Sequence, residues 1–345
     1  SFDPNISFSA LMDQSVTFTF WQGEQPVRYL NGIVTSFGLG KTGFVRTHYQ
    51  MVVEPALARA AFQSDSRIFQ HQNSEKIIRT LLQKNRVEKV SFEPLPSDWE
   101  REYCVQYRET DLAFIERLAA EEGWYYYFDH RADSHELRFG HQSIASPILG
   151  TLTYNAKPAG DRSFACLWRF DYCRKVTTTS QTLRDYTFLN PNYNLEHQHH
   201  SQASGITDSD TSKSAVNSAT VYEKYDYLGR YKKDEQGNPF SLYRLEAEIA
   251  LSETANAEGD DMRVIPGYGF TLEGHANSAF NQDWLVVRVE HFGKQTGALD
   301  EEAGEEGNRY ENTLFLIPHN KPWRSPLKPR PIIRGTQVAH VTGPE

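Results

Sequence analysis

Residues 106–128 read QYRETDLAFIERLAAEEGWYYYF, from Gln106 to Phe128, and the local signals in this stretch describe one compact unit. Thr110 has the side chain of a helix N-cap, and Asp111 puts negative charge in the first turn, where the helix dipole favours it. Leu112, Ile115, Leu118 and Ala119 recur at helical spacing and make one apolar face. Gly123 stands where a left-handed residue is expected to stop the helix. Trp124 to Phe128 is a dense aromatic run with the composition of a strand. Glu136-Leu137-Arg138-Phe139 follows closely enough to pair back as a second strand.

Around this unit, composition sets bounds. A chain of 345 residues is long enough for two or three domains with their own cores. Aromatic content of 13%, with 18 Tyr and 20 Phe, favours a strand-rich globular protein over a disordered one. A net charge of −9 argues against a broad nucleic-acid surface, which needs clustered Lys and Arg to neutralise phosphates. No apolar run reaches the roughly 18 residues of a membrane span. No basic start followed by an apolar core marks a signal peptide. Three cysteines, Cys104, Cys166 and Cys173, fit reduced thiols better than a disulfide framework.

Residues 1–62 read as strands. Val16 to Phe20 alternates, and Tyr29–Gly38 is expected to pair with Gly43–Glu54 across the turn Leu39-Gly40-Lys41-Thr42. With one strand ahead of the hairpin, the natural chain is expected to begin before Ser1. Residues 63–145 form an inserted α/β module. Ser74 caps a helix bearing Ile77, Ile78, Leu81 and Leu82, an acidic loop with prolines runs from Phe92 to Glu100, and the opening helix and hairpin follow. Residues 146–325 return to strands at Phe164–Lys175, Thr182–Phe188, Met262–Phe270, Asp283–Phe292 and Tyr310–Ile317. A helix is expected over Leu242–Ala257, and polar loops over His197–Asn217 and Gly297–Asn308. Residues 326–345 belong to a Pro-rich extended linker that starts near Pro318, and Ile332–Val341 begins alternating again.

Four patterns suggest chemistry. Gly38-Leu-Gly-Lys-Thr-Gly resembles part of a phosphate loop, but Thr35 stands where the first glycine belongs and a strand follows instead of a helix, so a hairpin turn is expected. His197 and His199 would share one face of a strand and could pinch a metal beside Glu196, with His200 adjacent. Without further ligands at metal spacing, the start of a polar loop is the expected reading. Cys166 and Cys173 match no zinc spacing and read as small core residues. Glu109, Asp111, Glu121 and Glu122 are close in sequence, as a glycosidase pair would be. Asp111 favours the helix start, Arg108 and Glu109 read as an ion pair, and Glu121 and Glu122 as a solvated face. No Gly-x-Ser-x-Gly nucleophile elbow occurs. Catalytic, metal and cofactor residues are therefore set at none.

The opening stretch resembles the signature of the VgrG family, the spike proteins of the bacterial type VI secretion system. Gln106, Tyr107, Glu109, Thr110, Asp111, Phe114, Arg117, Leu118, Glu121, Glu122, Gly123, Tyr125, Tyr126 and Phe128 carry the match, while Trp124 replaces an aliphatic residue. Further landmarks resemble the family in the same order. They are Asn31 to Val34, Tyr49 to Pro55, Asp65 to Gln70, Pro266-Gly267, Phe270-Thr271-Leu272, Gly274-His275, Val289-Glu290-His291 and Pro329 to Pro344.

The resemblance implies a mainly β chain with an inserted α/β module. It implies two related antiparallel β-barrels per chain, similar to a phage tail hub, leading into an OB-fold domain that is mostly absent. The first hub barrel would take residues 1–62 with part of it missing, the connecting module 63–145, the second barrel 146–325, and the linker and start of the OB-fold 326–345. Three chains would form a pseudo-sixfold ring on the hexameric secretion tube protein. Baseplate components, a spike-tip protein and effectors would be the other partners, with no nucleic acid and no membrane span. Such a hub is no enzyme and needs no cofactor. It is assembled in the bacterial cytoplasm and leaves without a signal peptide. A baseplate hub of a contractile phage is the alternative in the same class, and a cell-wall glycan hydrolase the alternative in another.

Overall fold

The computed structural model describes residues 1–44, 46–96, 99–157, 164–201, 222–295 and 308–332, together with 335, 336, 338, 340 and 343. Most of the expected loops at His197–Asn217 and Gly297–Asn308, and most of the alternating segment after Ile332, lie outside the described residues.

The amino-terminal part holds a short helix α1 (Phe8–Leu11) and strands β1 (Ser15–Gln22), β2 (Gln25–Thr42) and β3 (Thr47–Glu54), which form an open antiparallel sheet in the order β1-β2-β3. The expected hairpin is present, but its turn lies later. β2 runs on through Leu39–Thr42, Leu39 pairs with Tyr49, and the chain reverses where the Gly43 amide donates to the Arg46 carbonyl at 2.7 Å. Glycines at 38, 40 and 43 made the segment look like a turn, but cross-strand pairing overrides that local preference. Gly32 is required where it is, because a Cβ there would lie 2.5 Å from the Glu54 carbonyl oxygen.

The α/β module contains β4 (Ser64–Gln72), α2 (Ser74–Lys84), β5 (Val90–Phe92), β6 (Arg101–Thr110), α3 (Asp111–Glu121), β7 (Tyr125–His130) and β8 (His135–Gly140). β4 and β6 form an antiparallel ribbon, and β8 lies between β5 and β7 in a second sheet. The cap of helix α2 lies one residue before the expected Ser74: the Asn73 side chain accepts from the Lys76 amide at 2.8 Å. Its apolar stripe, Ile77, Ile78, Leu81 and Leu82, is fully buried. It packs with Phe114, Ile115 and Leu118 of α3 and with Trp124, Leu137 and Phe139 of the hairpin. Leu112 lies at the edge of this cluster.

The opening stretch folds as its residues dictate. Thr110 Oγ1 accepts from the Ala113 amide at 3.1 Å, Gly123 has φ +77°, and Tyr126 pairs with Phe139 across the hairpin. Thr110→Ala is expected to cost about 1 kcal/mol, since it orphans one helix N–H. Urea denaturation would measure it, and an unchanged midpoint would show that the cap contributes nothing.

The carboxy-terminal part contains β9 (Ile148–Tyr154), β10 (Cys166–Arg174), β11 (Ser180–Asp185), β12 (Leu195–His200), β13 (Glu223–Tyr227), α4 (Asp234–Ala250), β14 (Glu253–Gly259), β15 (Gly269–Glu273), β16 (Asp283–Lys294) and β17 (Arg309–Pro318). Six strands close into a barrel in the order β10-β14-β17-β16-β15-β9. It is not wholly antiparallel, because β9 pairs in parallel with both β10 and β15. Trp284, Phe270, Leu314 and Leu316 fill it, and the alanines of β14, Ala255 and Ala257, face them. Beside the barrel, α4 packs on the sheet β12-β11-β13 through Leu183, Leu195, Tyr231, Phe240 and Tyr243.

Two expectations here are corrected. The helix predicted over Leu242–Ala257 begins at Asp234, carries Pro239 inside it and ends at Ala250, and the tail Glu253–Ala257 is barrel strand. Met262–Phe270 is mostly irregular, with strand only from Gly269. The chain is thus mainly β with helices and one closed barrel among the described residues. No described helix is long and apolar enough to cross a membrane.

Candidate functional site

The four carboxylates singled out in the sequence lie in or beside a buried ionic junction. β6 begins at Arg101, α3 carries Arg117 and Glu121 one turn apart, and Glu122 follows at the helix end. Arg101 is 7% exposed and bridges two acids: its Nη1 donates to Glu121 Oε2 at 2.9 Å and its Nη2 to Glu122 Oε1 at 2.7 Å. Its Nε donates to Ser74 Oγ at 2.9 Å, and its guanidinium lies 4.7 Å from the Trp99 ring centre. Ser74 Oγ donates in turn to Glu122 Oε1 at 2.5 Å, and Trp99 Nε1 donates to Glu122 Oε2 at 3.2 Å. Glu121 Oε1 accepts two bonds from Arg330, at 2.8 and 2.6 Å. Arg230 lies 3.8 Å from the same oxygen.

Glu121 and Glu122 are therefore not the expected solvated face; both are buried. Glu109 pairs with Arg117, at 2.6 and 3.2 Å, and not with Arg108. Arg108 has φ +51° at an irregular point of the ribbon and its guanidinium lies over the Tyr107 ring. Asp111 does more than favour the helix start. Its buried carboxylate accepts from Gln106 at 2.8 Å, Asn85 at 3.0 Å, Lys84 at 3.1 Å and Arg67 at 3.2 Å.

Electrostatics fixes what this junction can do. Burial works to raise the Glu121 pKa, but the guanidinium groups of Arg101, Arg330 and Arg117 outweigh it and hold the carboxyl at about 2. For Asp111 burial again works upward, and the hydrogen bonds from Gln106, Asn85 and Lys84 keep it below the usual carboxylate range. A general acid needs a raised pKa and an open face toward substrate. Glu121 instead stays ionised, with both oxygens tied to arginine, so the geometry suits holding elements together and does not suit moving protons.

The other candidate groups are placed apart from the junction. His197 to His200 lie in β12 and not at the start of a loop. His197 and His199 do share the face toward α4. His197 Nε2 meets Asp234 Oδ1 at 3.0 Å and His199 Nδ1 meets Ser241 Oγ at 2.8 Å, so each ring has its own helix partner. Among the described residues no group of three His, Cys, Asp or Glu could hold a metal ion. Cys166 is buried as expected, but Cys173 is exposed at the far end of the same strand. The Gly38–Gly43 segment is strand and hairpin turn.

Sequence reading missed the arginines. Arg101, Arg324 and Arg28 are each less than a tenth exposed. The one related sequence signal belongs to Arg330, which like Lys321 and Lys328 directly precedes a proline.

Residues 1–297 match the model of the phage tail baseplate hub (GPD) family. The type VI secretion system spike protein VgrG2a of Pseudomonas aeruginosa is 39% identical over 353 residues, which cover 98% of this chain and 39% of that protein. The spike protein VgrG3 of Vibrio cholerae is 36% identical over 99% of this chain and 32% of its own length. The chain thus spans between about a third and two-fifths of these curated relatives. Among solved structures, the E. coli c3393 protein is described as a type VI secretion component with structural similarity to the T4 bacteriophage tail proteins gp27 and gp5. It superposes with a TM-score of 0.67 at 17% identity, over 97% of this chain and 72% of that one. At that identity the likeness concerns the fold.

Proposed function

Because this chain belongs to the phage tail baseplate hub (GPD) family, we propose that it is the hub of a type VI secretion spike. The observation that carries this reading is the 39% identity to a secretion spike protein across 98% of the chain. Three copies would close into a pseudo-sixfold ring seated on the hexameric secretion tube and carry the needle used in contractile effector delivery. Each copy would supply two barrel units: the closed six-stranded barrel within 146–325, and a second unit to which the sheet of residues 1–62 belongs. Residues 63–145 would connect them, and 326–345 would lead into an OB-fold domain. Baseplate components, a spike-tip protein and effectors would be the partners. Assembly would take place in the bacterial cytoplasm, followed by release without a signal peptide.

Physical features support a structural role. Glu121 is a salt-bridged anion, a poor proton donor for glycan hydrolysis. A net charge of −9 without basic clustering lets a conduit pass cargo without adhering to nucleic acid or anionic lipid. The same fold in a phage particle remains the second reading, since the matching family model is a phage tail one.

The ring can be tested by fusing the chain at its carboxy end to a heterologous trimeric coiled coil and imaging the particles by electron microscopy. A closed ring with six barrel-sized lobes is the expected result. Three hub copies hanging apart from the coiled coil would sink the proposal.

A further inference from the structure

We propose that residues 319–332 form a brace that locks the α/β module, helix α4 and the closed barrel into one mechanical unit. This rests on contacts within the chain and holds for either hub reading. The segment has neither helix nor strand, and a Pro-rich stretch of this kind ordinarily serves as a semi-rigid spacer. Its side chains show otherwise. Lys321 meets Glu253 of β14 at 3.0 Å, which fastens the segment to the barrel. The Trp323 amide donates to Ser143 Oγ at 2.6 Å. Lys328 and Arg330 meet Glu116 and Glu121 of α3, at 3.1 and 2.6 Å.

Arg324 is the centre of the brace. Its side chain is 7% exposed, and it reaches three elements. Nε donates to Glu246 of α4 at 2.7 Å. Nη1 donates to the Gly123 carbonyl at the end of α3, at 2.7 Å, and to the His141 carbonyl just after β8, at 2.6 Å. The guanidinium also lies 4.5 Å from the Tyr243 ring centre. Gly123 belongs to the same joint, because a Cβ on it would come within 2.8 Å of that ring.

An ion pair that stays in contact with solvent contributes little, about 0–1 kcal/mol, so the half-buried Lys321 pair and the more exposed Lys328 pair alone would not make a brace. Arg324 and Arg330 differ because the two backbone carbonyls and the Glu121 Oε1 that they serve are buried and would lose these hydrogen bonds on release. Proline helps in advance. Lys321, Lys328 and Arg330 each precede a proline, which biases them to extended backbone and lowers the entropy lost on docking.

Scanning calorimetry of the whole chain tests the brace. The unmodified protein is expected to melt in one transition, and the Arg324→Met, Arg330→Met double variant in two, as module and barrel part. Two transitions in the unmodified chain, or one transition at an unchanged temperature in the double variant, would overturn the proposal. Arg330→Lys, which keeps the charge and loses the double donation, covers the case in which the double variant does not fold. In it, amide exchange in α3 is expected to rise about tenfold while β16 and β17 are unchanged. Equal exchange in both regions would overturn the proposal as well.

Discussion

Arg101→Ala is expected to lower the unfolding free energy by about 3–5 kcal/mol, the range for removing one partner of a buried ion pair. The reason lies in what remains. Glu121 keeps Arg330, and Arg117 at 3.8 Å, so it is still compensated. Glu122 keeps only the neutral donors Ser74 and Trp99, because among the described residues Arg101 is the one cation within ion-pair range of it. The cost is therefore mostly that of a stranded, buried Glu122 carboxylate. Glu122→Gln in the Arg101→Ala background should recover part of the loss, and a double-mutant cycle in urea isolates the coupling. The exposed Arg79–Glu75 pair on α2 is the control, since an i,i+4 surface pair contributes about 0.3–0.5 kcal/mol. An Arg101→Ala loss no larger than that control would show that the junction is not held by charge.

The contrast between Glu122 and Gly123 shows what was legible in the sequence. Gly123 announces itself locally: a left-handed stop after a periodic apolar face needs no knowledge of the rest of the chain. Thr110 and the aromatic strand after Gly123 are legible for the same reason, and so is the buried stripe of α2. Glu121 and Glu122 look like a solvated pair because most adjacent carboxylates are. Their burial depends on Arg101, twenty residues earlier, and on Arg330, some two hundred residues later, and no local window contains those partners. α4 was misread from the opposite side. Its first turns contain Gly237 and Pro239, both poor helix formers, yet Pro239 is accommodated within the helix, while the alanines of 253–259 suggest helix and serve a barrel. In β14 Ala255 and Ala257 are small because they face the interior that Trp284 and Phe270 occupy. That requirement comes from tertiary packing and overrides intrinsic preference.

Acidification from about pH 7 to pH 4 is expected to cost on the order of 5 kcal/mol of stability through buried histidines, apart from what the carboxylates add below about pH 4.5. The three histidines depressed furthest carry most of it, while burial lowers His135 and His199 in the same direction. His141 is 4% exposed, packs edge-on to Tyr243, and has both ring nitrogens without a hydrogen-bond partner. Burial lowers its pKa to about 4, and the nearby Arg324 cation adds to this. Burial, with smaller contributions from His135 and Arg28, puts His130 at about 4, where its Nδ1 accepts from the Asn31 amide at 3.0 Å. Burial and then Arg28 put His291 at about 3. In the unfolded chain each would titrate near 6.5. The folded values are depressed, so below about pH 6.5 the unfolded state takes up protons that the folded state refuses. The stability is present above that pH and is lost as pH falls toward 4, and toward 3 for His291. At about 1.4 kcal/mol per unit, His141 accounts for roughly 3 kcal/mol, and the more accessible His130 and His291 for about 1 each after solvent screening. Glu121 acts later, between its usual 4.5 and about 2, in the same direction. The acid limb should therefore fall in two stages. Urea unfolding at several pH values would resolve them, and His141→Phe should flatten the first stage while leaving the second. A stability that stays level from pH 7 to pH 5 would show that these histidines are solvated enough to titrate normally.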